Sequence, residues 1–275
     1  MNIGIIDADL LDKGTQFPNL ALLKLSGYHK AQGDSVSLLT DYTDISSYDS
    51  VYIAKVFSKT SVPDDILTLP NVNLGGTGFF DISSPKLPYN IEHHMPDYTL
   101  YQDYIQTLPQ YKKSPSSYSG YFHASIGFTS RGCFRKCPFC VNRVYDKSTI
   151  HSPVSEFFDP SKKHTILLDD NILACPDWRS ILESLKDTKK PFTYIQGLDI
   201  RLLNKEKATL LSNCKYKGDF IFAFDNIQDR DCIEPKLRLW RDTTYKNTKV
   251  YVICGFYSQD VSDVVSLLER IKILR

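Results

Sequence analysis

The stretch "TSRGCFRKCPFC", residues 129–140, contains three of the seven cysteines of this 275-residue chain. Cys133, Cys137 and Cys140 have the spacing C-x3-C-x2-C, so three soft thiolate ligands can bind one metal centre from a single loop. An odd number of cysteines with three so close together favours a metal site over a disulfide framework. Three interpretations are open: a zinc site, a redox pair, or an iron–sulfur cluster with one iron left free.

The number of possible ligands near this motif helps to distinguish a zinc site from an iron–sulfur cluster. A structural zinc site normally has four ligands, often in two separated pairs. The other four cysteines are isolated from one another: Cys175, Cys214, Cys232 and Cys254. His151, eleven residues past Cys140, could complete a Cys3His zinc site, which remains the alternative. A four-iron cluster held by three thiolates instead leaves one iron open to a substrate or cofactor.

Length and composition are those of an ordinary globular protein, with room for one large α/β unit or two domains. The formal net charge is +1, from 33 basic and 32 acidic residues, so nucleic-acid binding is not indicated. The N-terminus "MNIGIIDADLL" lacks the features of a signal peptide. No apolar run approaches the ~18 residues of a spanning helix. We therefore predict a cytoplasmic protein with no membrane partner and with reduced thiols.

The first part of the sequence alternates strand and helix patterns. Strands are predicted at 2–7, 35–40 and 50–57, residues 71–80 are predicted to be a strand that runs into a glycine turn, and helices are predicted at 17–33 and 96–108. This alternation favours a parallel sheet, and we predict a small Rossmann-like domain over 1–110. The polar, turn-rich stretch 111–121 is predicted to be a linker.

The second part, residues 122–275, repeats a strand followed by a helix. Strands are predicted at 123–129, 165–170, 192–200, 219–226 and 249–256, with helical stretches at 176–187, 204–214 and 258–274. This order is typical of a (βα) barrel. Five strands are recognisable, so the prediction is a partial (βα)5–6 barrel that lacks its last strand or has it filled by a partner. The fold class is α/β throughout.

Polar residues recur where the predicted barrel strands end, which is where such barrels carry their chemistry. These candidates are Asp169, Asp170, Asn171, Gln196, Asp199, Arg201, Asp225, Asn226 and Gly255. Each also has a structural interpretation. Asp170 or Asn171 could cap a short turn, and Asp199 with Arg201 could form an ion pair.

The cysteine motif, with Phe139 before its last cysteine and a predicted strand directly before it, resembles the radical S-adenosylmethionine (SAM) superfamily. The sequence of residues 129–140 resembles that of the superfamily branch whose barrel follows a cobalamin-binding-like Rossmann domain. Further stretches resemble uncharacterised bacterial and phage members of that superfamily: "GGTGF" (75–79), "IEHHMPDYTLY" (91–101), "LLDDNIL" (167–173), "QGLDIRLL" (196–203), "FAFDN" (222–226) and "VICGF" (252–256).

The resemblance implies that Cys133, Cys137 and Cys140 hold a 4Fe-4S cluster and that SAM binds its open iron. Reductive cleavage of SAM would give methionine and a 5′-deoxyadenosyl radical, which abstracts hydrogen from an unknown substrate. The electron would come from an external donor of the flavodoxin or ferredoxin type.

The resemblance also implies cofactor-binding roles for the strand-end residues. The Gly-Gly-Glu stretch that many members use for the methionine amino group is absent, and "LDDN" stands in its place. Asp169 or Asp170, with Asn171 beside them, is therefore the predicted acceptor, because an ammonium group needs oxygen acceptors. Arg201 is the candidate for the cofactor carboxylate. The ribose or the substrate is assigned to Gln196, Asp199 and Asp225, and the adenine to Phe139 and Gly255.

Two further expectations concern the N-terminal domain. Cobalamin-binding domains usually contain D-x-H-x-x-G, and this chain has no such motif, which argues against cobalamin as a cofactor. Residues 1–132 contain no cysteine, which disfavours a methylthiotransferase with a second cluster. Two non-catalytic alternatives remain: a zinc-stabilised scaffold, and a protein that keeps the cluster without cleaving SAM.

Overall fold

The fold is taken from a computed structural model that describes residues 1–81, 84–256 and 258–275. The strands are β1 (Asn2–Asp7), β2 (Ser35–Leu38), β3 (Ser50–Ala54), β4 (Val72–Gly75), β5 (Ala124–Gly127), β6 (Ser130–Arg131), β7 (Thr149–Ile150), β8 (His164–Leu167), β9 (Phe192–Tyr194), β10 (Phe220–Ala223) and β11 (Thr248–Tyr251). Two compact units are present. The first comprises Met1–Ile126 and Glu156–Lys162, and the second comprises Gly127–Ser155 and Lys163–Arg275.

The helices follow the strands in the order that the sequence predicts for an α/β fold. They are α1 (Ala8–Lys13), α2 (Leu20–Ala31), α3 (Thr77–Phe80), α4 (Tyr89–Glu92), α5 (Gln102–Thr107), α6 (Pro109–Lys113), α7 (Ser119–His123), α8 (Trp178–Asp187), α9 (Lys205–Ser212), α10 (Arg230–Thr243) and α11 (Val261–Leu274). Within the described ranges, none of these helices has the length and apolar character needed to cross a membrane.

A four-stranded parallel sheet in the order β2-β1-β3-β4 forms the centre of the first unit. Ile3, Ile5 and Ile6 of β1 are fully buried, as expected for a central parallel strand covered on both faces. The four predicted strands are present, although the last one ends at Gly75 and residues 77–80 form α3, and the sheet is Rossmann-like. β2 and β3 lie on opposite sides of β1, so the order in which strands are added to the sheet changes direction between β1 and β3. Ligands of doubly wound folds bind at such a switch point.

The connections in this sheet are shorter than in a complete doubly wound domain. α2 begins after Asn19, whose side chain accepts hydrogen bonds from the backbone N–H groups of Ala21 and Leu22. The strands β2, β3 and β4 are joined by single 3₁₀ turns at Ile45–Ser47 and Asp64–Ile66.

The helix predicted over 96–108 is wrong in extent, because only α5 is helical there. Asp97 instead binds α2: its backbone N–H donates to the Leu23 carbonyl and its carboxylate accepts from Ser26 Oγ at 2.7 Å. These contacts keep the preceding segment out of the helix.

Residues 111–121, predicted to be a linker, contain the end of α6, a 3₁₀ turn at Pro115–Tyr118 and the start of α7. Tyr118 and Tyr121 are buried, and their hydroxyls donate to the carbonyls of Gly14 and Thr15 at 3.2 and 2.9 Å. These two buried tyrosines pack the segment into the first unit, so it is not a linker although its composition is polar.

Parallel strands alternating with helices make up the second unit. β8 pairs in parallel with β9 and β10 pairs in parallel with β11, and a parallel bridge between Leu198, which follows β9, and Phe222 connects these two pairs. The five barrel strands predicted from the sequence are confirmed, together with the helices α8, α9 and α11 that follow three of them. β11 pairs with β10, and three of its four residues are exposed, so the barrel is partial.

Candidate functional site

The cysteine loop, residues 132–148, leaves and re-enters the second unit through a short antiparallel ribbon. Ser130 pairs with Ile150 and Arg131 with Thr149, so β6 and β7 close the base of the loop. Gly132 follows with a φ of 90°, and a Cβ there would lie 2.4 Å from the Lys147 carbonyl oxygen. Only glycine allows the two ends of the loop to cross at this distance.

Asp169 fixes the chain directly before the loop. Its buried carboxylate accepts hydrogen bonds from the backbone N–H and the hydroxyl of both Thr129 and Ser130, at 2.5–3.0 Å. Burial raises the pKa of Asp169, and the four donors offset part of that increase. Both oxygens of this carboxylate are therefore engaged by the protein.

Asp170 joins the two flanks of the cysteine motif. One carboxylate oxygen accepts from the Gly132 backbone N–H at 2.6 Å, and the other accepts from Nδ2 of Asn142 at 2.7 Å. Gly132 precedes Cys133 and Asn142 follows Cys140 by two residues. A single carboxylate thus holds both ends of the segment that contains all three cysteines.

The three cysteines are free and partly buried. Burial raises the pKa of the Cys137 thiol, the nearby Arg201 guanidinium lowers it, and Cys140 and Cys133 are close enough to add to the increase. Two sulfurs accept backbone hydrogen bonds at 3.4 Å: Cys133 from Arg135, and Cys140 from Asn142. Within the described ranges, no three His, Cys, Asp or Glu side chains are arranged closely enough to hold a metal ion.

Three thiols on one loop nevertheless fit an iron–sulfur cluster by their chemistry. Thiolates are the usual ligands of such clusters, and N–H donors to the sulfurs adjust the potential. His151, the possible fourth zinc ligand, directs Nδ1 to Ser152 Oγ at 3.0 Å, and its ring contacts Phe128.

Asn171, which follows Asp169 and Asp170, contacts both Cys133 and Asp199. Its Nδ2 lies 3.3 Å from Sγ of Cys133 and 3.4 Å from Oδ2 of Asp199. Both neighbours are acceptors, so they determine which end of the amide is the nitrogen. The oxygen Oδ1 is buried without a hydrogen-bond partner, one of four such side-chain atoms in the described part of the chain. This buried acceptor is free to accept a hydrogen bond from a water or from a ligand.

Asp199 is the centre of an ion-pair network beside the cysteine loop. It accepts from Nε of Arg135 at 2.9 Å and from Nε of Arg201 at 2.7 Å, and Arg201 also donates to Asp229 at 2.9 Å. Burial raises the pKa of Asp199, but the two arginines outweigh it and hold the pKa below its ordinary value. Arg201 therefore places a positive charge beside the cysteine loop, where it lowers the pKa of the Cys137 thiol.

The ends of β10 and β11 are organised by a buried arginine. Arg270 of α11 is 1% exposed and donates to the carbonyls of Phe224, Asp225 and Ile253 at 2.8–3.1 Å. Asp225 accepts from the Ile253 N–H at 3.1 Å, and burial raises its pKa. α11 therefore fixes the strand ends that carry two of the candidates, Asp225 and Gly255.

The two residues predicted to lie near an adenine are close together. The ring of Phe139, in the cysteine loop, meets the ring of Phe256 edge to face at 5.6 Å, and Gly255 is the residue before Phe256. Gly255 is exposed with a φ of 72°, and a Cβ there would meet no atom within 4 Å. Gln196 is exposed at its turn after β9.

Of the sequence-predicted residues, the structure brings together Asn171, Asp199 and Arg201 beside the cysteines, and Phe139 beside the Gly255 turn. Sequence reasoning missed four participants: Arg135, Asn142, Asp229 and Phe256. Arg135 and Phe256 stood inside quoted motifs, so their position was the available signal. Asn142 and Asp229 had no local signal, because each acts through a partner about 28 residues away in sequence.

A second candidate site lies in the first unit, at the carboxyl ends of β1, β3 and β4. The segment after β3 exposes Val56 and Phe57, at 51% and 59%. Gly76 has a φ of 93°, and a Cβ there would lie 2.2 Å from the Lys55 carbonyl oxygen, so the glycine is needed for close packing of the two loops. A Cβ on Gly75 would meet no atom within 4 Å, which leaves open space above the end of β4.

Comparison with known proteins yields matches among solved structures only. No family model matches the sequence, and no curated protein matches it. One similar structure is the cobalamin-dependent SAM radical enzyme OxsB with aqua-cobalamin and SAM bound. It has a TM-score of 0.59 and 14% identity, and the match covers 98% of this chain and 51% of OxsB. OxsB with aqua-cobalamin alone gives the same values.

A third structure is the radical SAM methyltransferase TsrM from Kitasatospora setae, with tryptophan substrate and a SAM analogue bound. Its TM-score is 0.62 at 12% identity, over 99% of this chain and 71% of TsrM. The chain has the fold of radical SAM enzymes. The predicted resemblance is confirmed at this level, and the chain spans about half the length of OxsB.

The expectation that argued against cobalamin is wrong, because OxsB, which has this fold, is a cobalamin-dependent enzyme with aqua-cobalamin bound. The absence of D-x-H-x-x-G removes one histidine that can bind cobalt. It does not remove the crevice at the strand ends of a Rossmann-like sheet, which is where a ligand of that fold binds.

Proposed function

We propose that this chain is a radical SAM enzyme in which Cys133, Cys137 and Cys140 hold a 4Fe-4S cluster. When bound, the cluster would supply the one electron needed to cleave SAM reductively to methionine and a 5′-deoxyadenosyl radical. The fold, the three-thiol loop and the N–H donors to its sulfurs support this assignment. The chain's own residues position the cofactor and exclude water, because the cofactor supplies the difficult chemistry.

The main support for this function is Oδ1 of Asn171, which is buried without a hydrogen-bond partner. Oδ1 is buried, acceptor-only and on the side chain whose Nδ2 already touches Cys133 Sγ. The methionine ammonium group of SAM carries donors and no acceptor, as the lysine ammonium does. We therefore assign Oδ1 of Asn171 as its acceptor. Asp169 is the weaker candidate, because Thr129 and Ser130 occupy both its oxygens.

Arg201 is the proposed partner of the SAM carboxylate. A guanidinium has five N–H donors, and Arg201 uses Nε for Asp199 and one terminal nitrogen for Asp229. Its other terminal nitrogen makes no hydrogen bond to the described residues of the chain, so it can donate to an incoming carboxylate. Asp199 acts as a positioning residue, because it orients Arg201, Arg135 and the Asn171 amide together. Phe139 and Phe256 provide the aromatic surface proposed for the adenine.

Anaerobic reconstitution tests the proposal. The full chain is treated with iron and sulfide, its iron and zinc are measured, and SAM is added with dithionite. We expect about four irons per chain, following the cluster stoichiometry, and release of 5′-deoxyadenosine. Cys133→Ser, Cys137→Ser and Cys140→Ser should each lose both. Cys232→Ser, an exposed cysteine on α10, is the matched control and should retain both.

The other outcomes separate the alternatives. One tightly bound zinc and no iron would show a zinc-stabilised scaffold and overturn the proposal. A cluster that never cleaves SAM would show a protein that keeps the cluster without the enzymatic reaction.

Cobalamin is the second cofactor we propose, on the basis of the strand ends of the first unit and of the fold shared with the cobalamin-dependent enzyme OxsB. Exposed Val56 and Phe57 offer apolar surface to a large flat ligand, and the space above Gly75 is open. Titration of the anaerobic protein with aqua-cobalamin should shift the visible absorption of the corrin and retain it through gel filtration. Free passage of cobalamin through the column would contradict this assignment.

A further inference from the structure

The helix α11 carries apolar side chains on two opposite faces. Arg270 marks the inner face: it is 1% exposed and donates to the carbonyls of Asp225 and Ile253. Four aliphatic side chains lie about 140–240° around the helix from Arg270, because successive residues are about 100° apart. This outer stripe is 48–77% exposed and consists of Val261, Val264, Val265 and Leu268. A helix that is apolar all round is normally covered on both sides.

The outer stripe differs from the exposed faces of the other helices. Single exposed apolar side chains are common on protein surfaces. Among the described α-helices, α4 exposes one large apolar side chain, Tyr89 at 78%, whereas α11 exposes four on one face. Leu267, Ile271 and Leu274 lie on the Arg270 side of α11 and are half-buried, so they pack onto the unit that contains the helix. The outer stripe is left for a contact outside that unit.

The two ends of α11 carry opposite charges. Asp260 caps the first turn, where its carboxylate accepts from the N–H groups of Ser262 and Asp263. A hydrogen bond from the Ser262 hydroxyl is the main cause that holds the pKa of Asp260 below its ordinary value, so this residue is an anion at neutral pH. Lys272 and Arg275 are exposed at the other end, on the side of the outer stripe. Neither cation pairs with a carboxylate in the described part of the chain.

We propose that the outer stripe of α11 binds the same stripe of a second copy of this chain, in an antiparallel helix pair with a twofold axis. An axis between Val264 and Val265 sets each of them against the other residue of the second copy, as an isologous interface requires. It also brings Lys272 of each copy toward Asp260 of the other. The antiparallel order sets the positive end of each helix dipole beside the negative end of the other. Apolar positions and charges therefore match in one arrangement, which favours a second copy over an unrelated protein.

The size of the outer stripe is that of a weak, reversible contact. α11 has 14 residues, so it is about 21 Å long and, with its side chains, about 10 Å wide. A pair of such faces buries less than the roughly 800 Å² per partner of a standard interface. Some standard interfaces have only micromolar affinity, so we expect this dimer to have a Kd of about 10–100 µM.

Pairing through α11 would also bring the second copy close to the candidate functional site. α11 begins shortly after Phe256, whose ring meets that of Phe139 in the cysteine loop. In the antiparallel pair, the basic end of α11 from the second copy lies beside the turn that carries Phe256. The dimer itself does not depend on the proposed function, because pairing needs neither the cluster nor SAM.

Sedimentation velocity of the purified full chain tests the dimer, at protein concentrations on both sides of the expected Kd and with a thiol reductant present. Val265→Glu places a charge at the centre of the stripe in each copy. Its matched control is Tyr89→Glu, which adds the same charge at the exposed apolar residue of α4. Lys272→Glu tests the charged contact, and Lys186→Glu, at the exposed end of α8, is its control.

We expect the unaltered chain and both controls to pass from monomer to dimer as the concentration rises. Val265→Glu should raise the Kd at least about tenfold, because it brings like charges together in an apolar contact. Lys272→Glu should weaken the dimer at low salt and less at high salt, since salt screens exposed charges. Melting temperatures check that the variants are folded. If Val265→Glu melts early, Val261→Glu, at a 77% exposed position in the first turn, takes its place.

Three results would overturn the proposal. One is a chain that stays monomeric at every concentration. Another is a dimer that Val265→Glu and Val261→Glu leave unchanged, because its interface then lies elsewhere. The third is an equal mixture of the unaltered chain and Lys272→Glu that associates more tightly than either alone, which would show a parallel pair. Failure of SAM cleavage changes none of these measurements, so the dimer and the proposed function fail separately.

Discussion

Nδ2 of Asn171 lies 3.3 Å from Sγ of Cys133, and the same amide turns its oxygen into a buried position without a partner. One side chain therefore touches the proposed cluster ligand and presents an acceptor beside it. Asp199, 3.4 Å from the same nitrogen, fixes the orientation of the amide. This relationship makes Asn171 the residue on which cofactor binding should depend most among the strand-end candidates.

We expect Asn171→Ala to weaken SAM binding by about tenfold to a hundredfold, because a hydrogen bond to a charged group contributes roughly 1.5–3 kcal/mol. Asn171→Asp, which keeps an acceptor and adds a negative charge facing the ammonium, should bind SAM better than the alanine variant. Calorimetric titration of the reconstituted protein measures both. Iron content should stay unchanged, so equal SAM affinity in all three proteins would refute the assigned acceptor.

Asp170 should control retention of the cluster more than binding of SAM, because it holds Gly132 and Asn142 at the two ends of the cysteine segment. Asp170→Ala leaves two donors without an acceptor, at a cost of about 1–3 kcal/mol each when buried. We expect iron to be removed from this variant by a chelator several times faster than from the unaltered protein.

The matched control for that measurement is Asp187→Ala, which removes an exposed carboxylate at the end of α8. Iron release from the control should follow the unaltered protein. If Asp170→Ala also matched it, the clamp across the loop would have no role in holding the cluster.

The stability of the first unit should depend on the protonation of Asp7. Burial raises the pKa of Asp7 to about 6, although Tyr101 and the Leu10 N–H donate to it. Between pH 4 and 6 the folded state binds a proton that the unfolded state does not, so this group favours folding more as the pH falls. Above pH 6 the carboxylate is charged in both states, so the free energy of unfolding is about 3 kcal/mol smaller than in acid.

Asp7→Asn removes the buried charge and keeps an acceptor for α1. We expect this variant to have a higher melting temperature than the unaltered protein at pH 7.5, and the difference to vanish near pH 4. Circular dichroism melting at the two pH values measures it. A difference that grows toward acid would have the opposite sign and would contradict the raised pKa.

Much of the architecture was predictable because both halves follow simple periodic rules. The strands at 2–7 and 35–40 and the five barrel strands come from apolar, β-branched runs bounded by turns, and the structure places strands at each. The helix at 96–108 was overestimated, because the Asp97 contacts to α2 are long-range and leave no local pattern.

The sequence predicted which residues belong to the site but not the hydrogen bonds between them. The position of Asp169 and Asp170 at a strand end was visible, yet only the structure shows that both serve the cysteine loop. Their donors lie about 28–40 residues away in sequence, so no spacing rule links them. The cobalamin expectation was wrong for a related reason: it rested on the absence of the short motif D-x-H-x-x-G, whereas the similarity to OxsB lies in the fold.

Gly75 is the position at which cobalamin binding can be tested without disturbing the sheet. Its Cβ would meet no atom within 4 Å and its φ is not positive, so a larger residue is compatible with the fold. A glycine at a strand end commonly leaves room for a close ligand. We expect Gly75→Leu to bind aqua-cobalamin at least tenfold more weakly, the scale of a steric penalty near 1.4 kcal/mol, and Gly75→Ala to lie between. The melting temperatures should stay close to that of the unaltered protein. Identical corrin spectra during titration of all three proteins would place any bound cobalamin away from the end of β4.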